Sequence, residues 1–267
     1  MTKLFKILYL VFCISFLFNC KKNEENKTSE IKKTSWKNLL TRNDLNDWIV
    51  KIKGHEVGNN YKNTFVVENG ILKVNYDEYD NVFNNSFGHI YYKKPFSNYK
   101  FRMDYRFTGN QLSDGAPWAK RNSGIMFHCE DPNGIGLNQN FPVSIEVQLL
   151  GGNGTDERST GNLCSPGTHV KYNDTLTTQH IVQSTSKTYH GEQWVHVEIE
   201  VRNDSIIKHM INGEEVLRYS KPQYGGNVNF NAEFWKTKQG IPLKSGYISL
   251  QSESHPVEFK NIEIMEL

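Results

Sequence analysis

"WVHVEIEVR", residues Trp194–Arg202, decides the fold. Val195, Val197, Ile199 and Val201 alternate with His196, Glu198, Glu200 and Arg202. Successive side chains leave a strand on opposite sides, so this period of two describes a strand with one buried and one wet face. The pattern recurs on either side. "YKFRMDYRF" (Tyr99–Phe107) sets aromatic residues and Met against Lys, Arg and Asp, and "YISLQSES" (Tyr247–Ser254) and "VEFKNIEIMEL" (Val257–Leu267) continue it. "IIKHMINGEEVLRY" (Ile206–Tyr219) carries Asn212-Gly213 at its centre, the dipeptide that tight hairpin turns favour because both residues tolerate positive φ. No stretch shows helical periodicity of comparable strength. Many short strands punctuated by Gly, Asn and Pro predict an all-β, antiparallel jelly-roll sandwich.

Two strands break the pattern in an informative way. In "SIEVQLL" (Ser144–Leu150), Ile145, Val147 and Leu149 form an apolar face, which puts Glu146 and Gln148 together on the opposite one. In "NSGIMFHC" (Asn122–Cys129), strict alternation puts Asn122, Gly124, Met126 and His128 on one side and Ser123, Ile125, Phe127 and Cys129 on the other. A polar outer face can simply meet water. Here long, Gly-rich polar loops follow both strands, and loops of that kind often carry function. The candidate set is therefore Glu146, His128 and Gln148 for chemistry, with Asn122 and Gln251 for binding. Gln251 shares its strand face with Ser249 and Glu253. Trp118 and Trp235, in loop-like context, are candidate sugar platforms. His128 and Glu146 are also candidate ligands for one divalent metal ion, with His169 or His180 able to complete the set, although no HxH or HxxxH spacing supports it.

The first residues, "MTKLFKILYLVFCISFLFNC", combine two lysines with an apolar run from Ile7 to Phe18 and read as a secretory leader over residues 1–19. "LFNC" resembles a relaxed lipobox, which would make Cys20 a lipidated residue and place the protein at the cell envelope; an ordinary leader cut nearby is the other reading. Residues 20–35 are polar and mixed in charge and predict a flexible tether, followed by one domain over 36–267. The chain is formally +2, and losing Lys3 and Lys6 with the leader would leave it neutral. No basic stripe favours nucleic acid. Cys129 and Cys164 could form a disulfide in an oxidising compartment or stay as buried thiols.

"NSGIMFHC", "SIEVQLLGG", "TGNLCSPG", "GEQWVHVEIEVR", "INGEEV" and the terminal "GYISLQSESHPVEFKNIEIMEL" occur in the order seen in the DUF1080 family, and the chain resembles a secreted, lipid-anchored member of it. That family is the 3-keto-disaccharide hydrolase, or 3-keto-α-glucoside 1,2-lyase/3-keto-2-hydroxy-glucal hydratase, domain. The resemblance implies a concanavalin A-like jelly roll and a glycoside substrate oxidised at C3. In such a substrate the C2 proton is acidic, a base removes it, the C1 substituent leaves, and hydration releases the 3-keto sugar. Family members often carry Arg where this chain has His128, and Asp where it has Leu150-Gly151. The alternative function is a non-catalytic carbohydrate-binding module of the same fold.

Overall fold

The computed structural model describes residues 35–267; the expected leader, Cys20 and all but the last residue of the expected tether lie outside them. The first half of the chain forms β1 (Lys37–Asn38), β2 (Trp48–Ile52), β3 (Phe65–Glu68), β4 (Ile71–Val74), β5 (Gly88–Tyr92), β6 (Asn98–Phe107), β7 (Asn122–Cys129) and β8 (Ile145–Leu150). The second half adds β9 (Asn162–Cys164), β10 (Thr168–Tyr172), β11 (Thr175–Thr177), β12 (Ile181–Val182), β13 (Val195–Arg202), β14 (Ile206–Ile211), β15 (Glu214–Tyr224), β16 (Tyr247–Ser252) and β17 (Val257–Glu266). Among the described residues there is a single α-helix, α1 (Ala232–Lys238), after β15, where the sequence pattern predicts none. Neighbouring strands pair antiparallel. They build two sheets, one ordered β11-β10-β15-β14-β13-β6-β17-β4-β3 with β1 beside β17, the other β12-β9-β8-β7-β16-β5-β2. This is the concanavalin A-like jelly roll.

The alternating strands do what their pattern dictates. Phe101, Met103 and Tyr105 of β6, Val197 and Ile199 of β13 and Phe259 of β17 turn inward, against Ile125 and Phe127 of β7, Val147 of β8 and Leu250 of β16. Asn212 and Gly213 both take positive φ and join β14 to β15, with Ile211 opposite Glu214. The latest two strands in the chain are both interior: β16 lies between β7 and β5, and β17 between β6 and β4.

The two outward faces differ in kind. On the larger sheet, opposite charges pair across strands: Lys100–Glu198 at 3.0 Å, Arg102–Glu263 at 2.7 Å and Arg106–Glu258 at 2.7 Å. Such partly exposed pairs contribute little to stability, but they leave that face with its charges matched. The smaller sheet's outward face is polar too, yet it is buried and largely unmatched.

Candidate active site

Pairing registers align that buried face into a row across six strands. Lys51 (β2) stands opposite His89 (β5), which stands opposite Gln251 (β16). Gly124 (β7), Gln148 (β8) and Asn162 (β9) continue the line, while Ser249, Met126, Glu146 and Cys164 form the next row. Gly124 matters because it has no side chain: a Cβ there would sit 2.5 Å from Glu146 Oε1. Glu146 therefore lies across β7, above Gly124 and towards β16.

Loops close over the row. Trp118 stacks on Phe87 with ring centres 6.1 Å apart, and Phe87 meets Phe141 at 5.1 Å, beside His89. Trp118 is 53 % exposed and presents its free ring face at the rim. The 130–143 loop is tied down by Lys51, whose ammonium donates to the carbonyls of Ile52, His55 and Leu137, and by Glu130, which accepts from Val143 N and Gln139 Nε2. Burial pushes the Glu130 carboxyl up to about 7.

The row is short of partners. His89 Nε2, Asn122 Oδ1, Gln251 Oε1 and Glu253 Oε2 are buried without a hydrogen bond. Each such group costs about 1–3 kcal/mol when left unpaired, and folds rarely tolerate several together unless a ligand or a shared proton satisfies them. Gln148 is better fixed: its Oε1 accepts from Asn162 Nδ2 at 3.0 Å, and Asn162 Oδ1 in turn accepts from Ser159 Oγ and Ser184 N. That chain turns the Gln148 amide nitrogen, a pure donor, towards the open side of the row.

Glu146 and Glu253 form the electrostatic centre. Burial raises both carboxyls above the ordinary carboxylate range, and the Glu146 charge raises Glu253 further. Burial therefore favours the protonated form of both near neutrality, and because the Glu146 charge acts on Glu253, Glu146 is the one that ionises first as pH rises while Glu253 keeps its proton. Burial brings the neighbouring His89 down to about 3, with the Lys51 charge assisting, so its imidazole stays neutral. A pH consequence follows. The folded protein holds carboxyl protons that the unfolded chain releases, so the stability they contribute is full below the ordinary carboxylate range and fades as pH rises through the raised values. Glu253→Gln is expected to flatten the fall in melting temperature between pH 6 and 9; a variant that falls as steeply as the parent excludes the pair as its source.

Several predicted residues are found in the row: Glu146, Gln148, Asn122 and Gln251 face it, and Trp118 stands at its rim. His128 does not. Three residues of β7, Met126 to Cys129, advance against only two of β16, Ser249 to Tyr247, and His128 takes φ 48° in this bulge. One inserted residue reverses the alternation. Cys129 thus joins Met126 and Tyr91 on the outward face, while His128 Nε2 lies 3.1 Å from Asn203 O and its ring is brought down to about 4 by burial. The His128–Glu146 metal pair is therefore not formed. His169 and His180 line a cleft of about 580 Å³ with Phe141 and Phe230, and Glu146 is not part of its lining. Trp235 packs on α1 against Tyr224, 5.5 Å away, outside the row. Cys129 and Cys164 are buried free thiols.

Among the described residues, no three His, Cys, Asp or Glu side chains gather to hold an ion by themselves. A cation on the row would depend on the amide oxygens of Asn122 and Gln251 alongside the Glu146–Glu253 pair. Their unpartnered oxygens fit a hard or borderline divalent ion, whose ligands are of that type.

Comparison with known proteins agrees with this architecture. Two provisionally named glycosyl hydrolases of Parabacteroides distasonis superpose with TM-scores of 0.52 and 0.51. They share 19% and 18% identity, and the alignments span 87% of this chain and 100% and 94% of theirs. The exoplasmic/lumenal domain of VIP36, solved with Ca2+ and Man3GlcNAc bound, aligns over 87% of this chain and 90% of its own, with TM-score 0.51 and 9% identity. At these identities the likeness concerns the fold. No curated protein matches the sequence significantly. The 3-keto-alpha-glucoside-1,2-lyase-like domain matches residues 35–265, nearly the whole described chain, and the protein belongs to that family.

Proposed function

We propose that the protein cleaves 3-keto-glycosides on this row by removing the C2 proton and expelling the C1 substituent, with water then added to the glucal. The observation that carries the proposal is the buried Glu146–Glu253 carboxyl pair, in which Glu146 ionises before Glu253. Its ionised member, assigned to Glu146 because it lies free above Gly124, takes the C2 proton. Its protonated member supplies a proton to the departing oxygen. Negative charge then develops on the ketone oxygen as the enolate forms, and the Gln148 amide nitrogen is placed to donate to it. A divalent cation, when bound, supplies Lewis-acid stabilisation of that same oxygen. Trp118 offers a flat apolar ring for a sugar face, and the closed Phe87–Phe141 side limits water at the reacting carbon.

The test is turnover of a 3-keto-α-glucoside by the purified protein, with and without a chelator, following 3-keto-glucose and the glucal by mass spectrometry. The expected result is product that chelation removes. Product unaffected by chelation would assign enolate stabilisation to Gln148 and its neighbours alone. No product from any 3-keto-glycoside, with glycan binding retained, would replace the enzyme with a carbohydrate-binding module.

A further inference from the structure

Beyond Glu253 and Asn122 the row runs into a cleft of about 310 Å³ lined by Lys120, Arg121, His190 and His255, together with Gln111 and Asn153. Resting on the reading of the row as a sugar site, we infer that this cleft receives an anionic group, a carboxylate or a sulfate, carried by the sugar unit next to the one held on the row.

Four observations carry it. First, two cations, Lys120 and Arg121, line the cleft with His255, and their charges act on its ring together with that of Arg158 nearby. Second, Arg121 is positioned without a carboxylate partner. Arg121 donates to Gly191 O at 2.7 Å, and Arg158 donates to Gly151 O at 2.7 Å and Lys120 O at 2.8 Å; the partners are backbone carbonyls. On the other sheet, by contrast, Lys100, Arg102 and Arg106 each have a carboxylate. Arg158 lies beside the cleft with Asp156 as its attracting acid, and Glu192 Oε1 accepts from Gly109 N at 2.8 Å. Third, His255 is 2 % exposed with neither ring nitrogen hydrogen-bonded, so a buried donor faces a cleft that offers it no acceptor. Burial is also the chief reason Arg158 sits below the usual guanidinium range, and Arg121 adds to it. A guanidinium without a carboxylate partner, as at Arg121, favours an incoming anion.

The fourth observation is position. Asn122 follows Arg121 directly, Gly151 N donates to Arg121 O, and His255 is four residues beyond Gln251, at most about 13 Å along the chain. That separation suits the adjoining unit of an oligosaccharide, and it leaves the reacting sugar free of charge. The substrate class is therefore an acidic glycan, with the acidic unit on the leaving-group side or directly beside it.

Calorimetric titration of the full chain tests this with three unoxidised probes: an α-glucosyl-glucose disaccharide, the same disaccharide with glucuronate as its second unit, and its 6-sulfated form. The expected result is about tenfold tighter binding of at least one acidic probe, the better one identifying the anion, with the preference shrinking at high salt. In Lys120→Glu, a change at an exposed position, and in Arg121→Gln, the ratio of acidic to neutral affinity should fall towards one. Equal affinity for all three probes in the parent protein overturns the acidic-glycan inference and leaves the sugar site standing. An unchanged ratio in both variants overturns the assignment to this cleft. Binding of none of the probes overturns the inference together with the sugar site beneath it.

Discussion

Glu146→Gln lowers turnover of a 3-keto-glucoside by about 10²–10⁴-fold, the usual range for removing a positioned acid–base group. The substitution keeps the shape of the side chain above Gly124 and removes only its capacity to ionise. Sugar affinity should therefore change little, so that the loss appears in kcat and not in KM. The folded protein should be at least as stable as the parent near neutrality, because the buried site no longer has a Glu146 charge to accommodate as pH rises. Turnover within tenfold of the parent would move the base to Glu253. A collapse of stability would mean that the Glu146 carboxylate has a structural partner, whereas the only strong influences on it in the fold are burial and Glu253.

Phe127→Ala is expected to destabilise the protein by about 3–5 kcal/mol, the range for deleting a fully buried aromatic side chain. Phe127 is 0 % exposed and belongs to the inter-sheet core, one residue before the bulge that turns His128 away. The surrounding residues sit on two rigid sheets and can refill the space only in part. In thermal unfolding of a domain this size the midpoint should drop by roughly 10 °C. A drop of only a degree or two would show that the face assignment of β7 is reversed, and with it the assignment of Met126 and Gly124 to the site.

The sequence makes the fold legible because alternation survives in most strands. Val195–Val201 and Ile145–Leu149 announce their buried faces, and the Asn212-Gly213 turn announces its hairpin. Glu146 and Gln148 are legible for the same reason, since a well-specified strand leaves them nowhere else to point. His128 is misread because alternation presumes an unbroken strand, and a bulge depends on how β7 meets β16, which lies more than 100 residues away. His89 is missed for the opposite reason: "GHIYY" reads as an apolar run, and only its pairing with Gln251 reveals a polar neighbour. Glu253 is visible on the face of Gln251, but its partnership with Glu146 arises from tertiary closeness. Trp235 has loop-like context in sequence and a short helix in the structure. The basic cleft and the nearby Arg158 are similarly scattered, with Lys120, Arg121, Arg158 and His255 coming from three different loops.

The interior placement of β16 and β17 has a consequence for how the protein is made. A ribosome must release almost the entire domain before either sheet can close, because until then β7 and β5 lack their shared neighbour, and β6 and β4 lack theirs. A nascent or truncated chain ending before Tyr247 cannot settle into a partial version of the structure with a working site. Folding waits until β16 and β17 have emerged and is slow, as expected where most pairings span long stretches of chain. In exchange, incomplete copies remain recognisably unfolded and open to proteolysis.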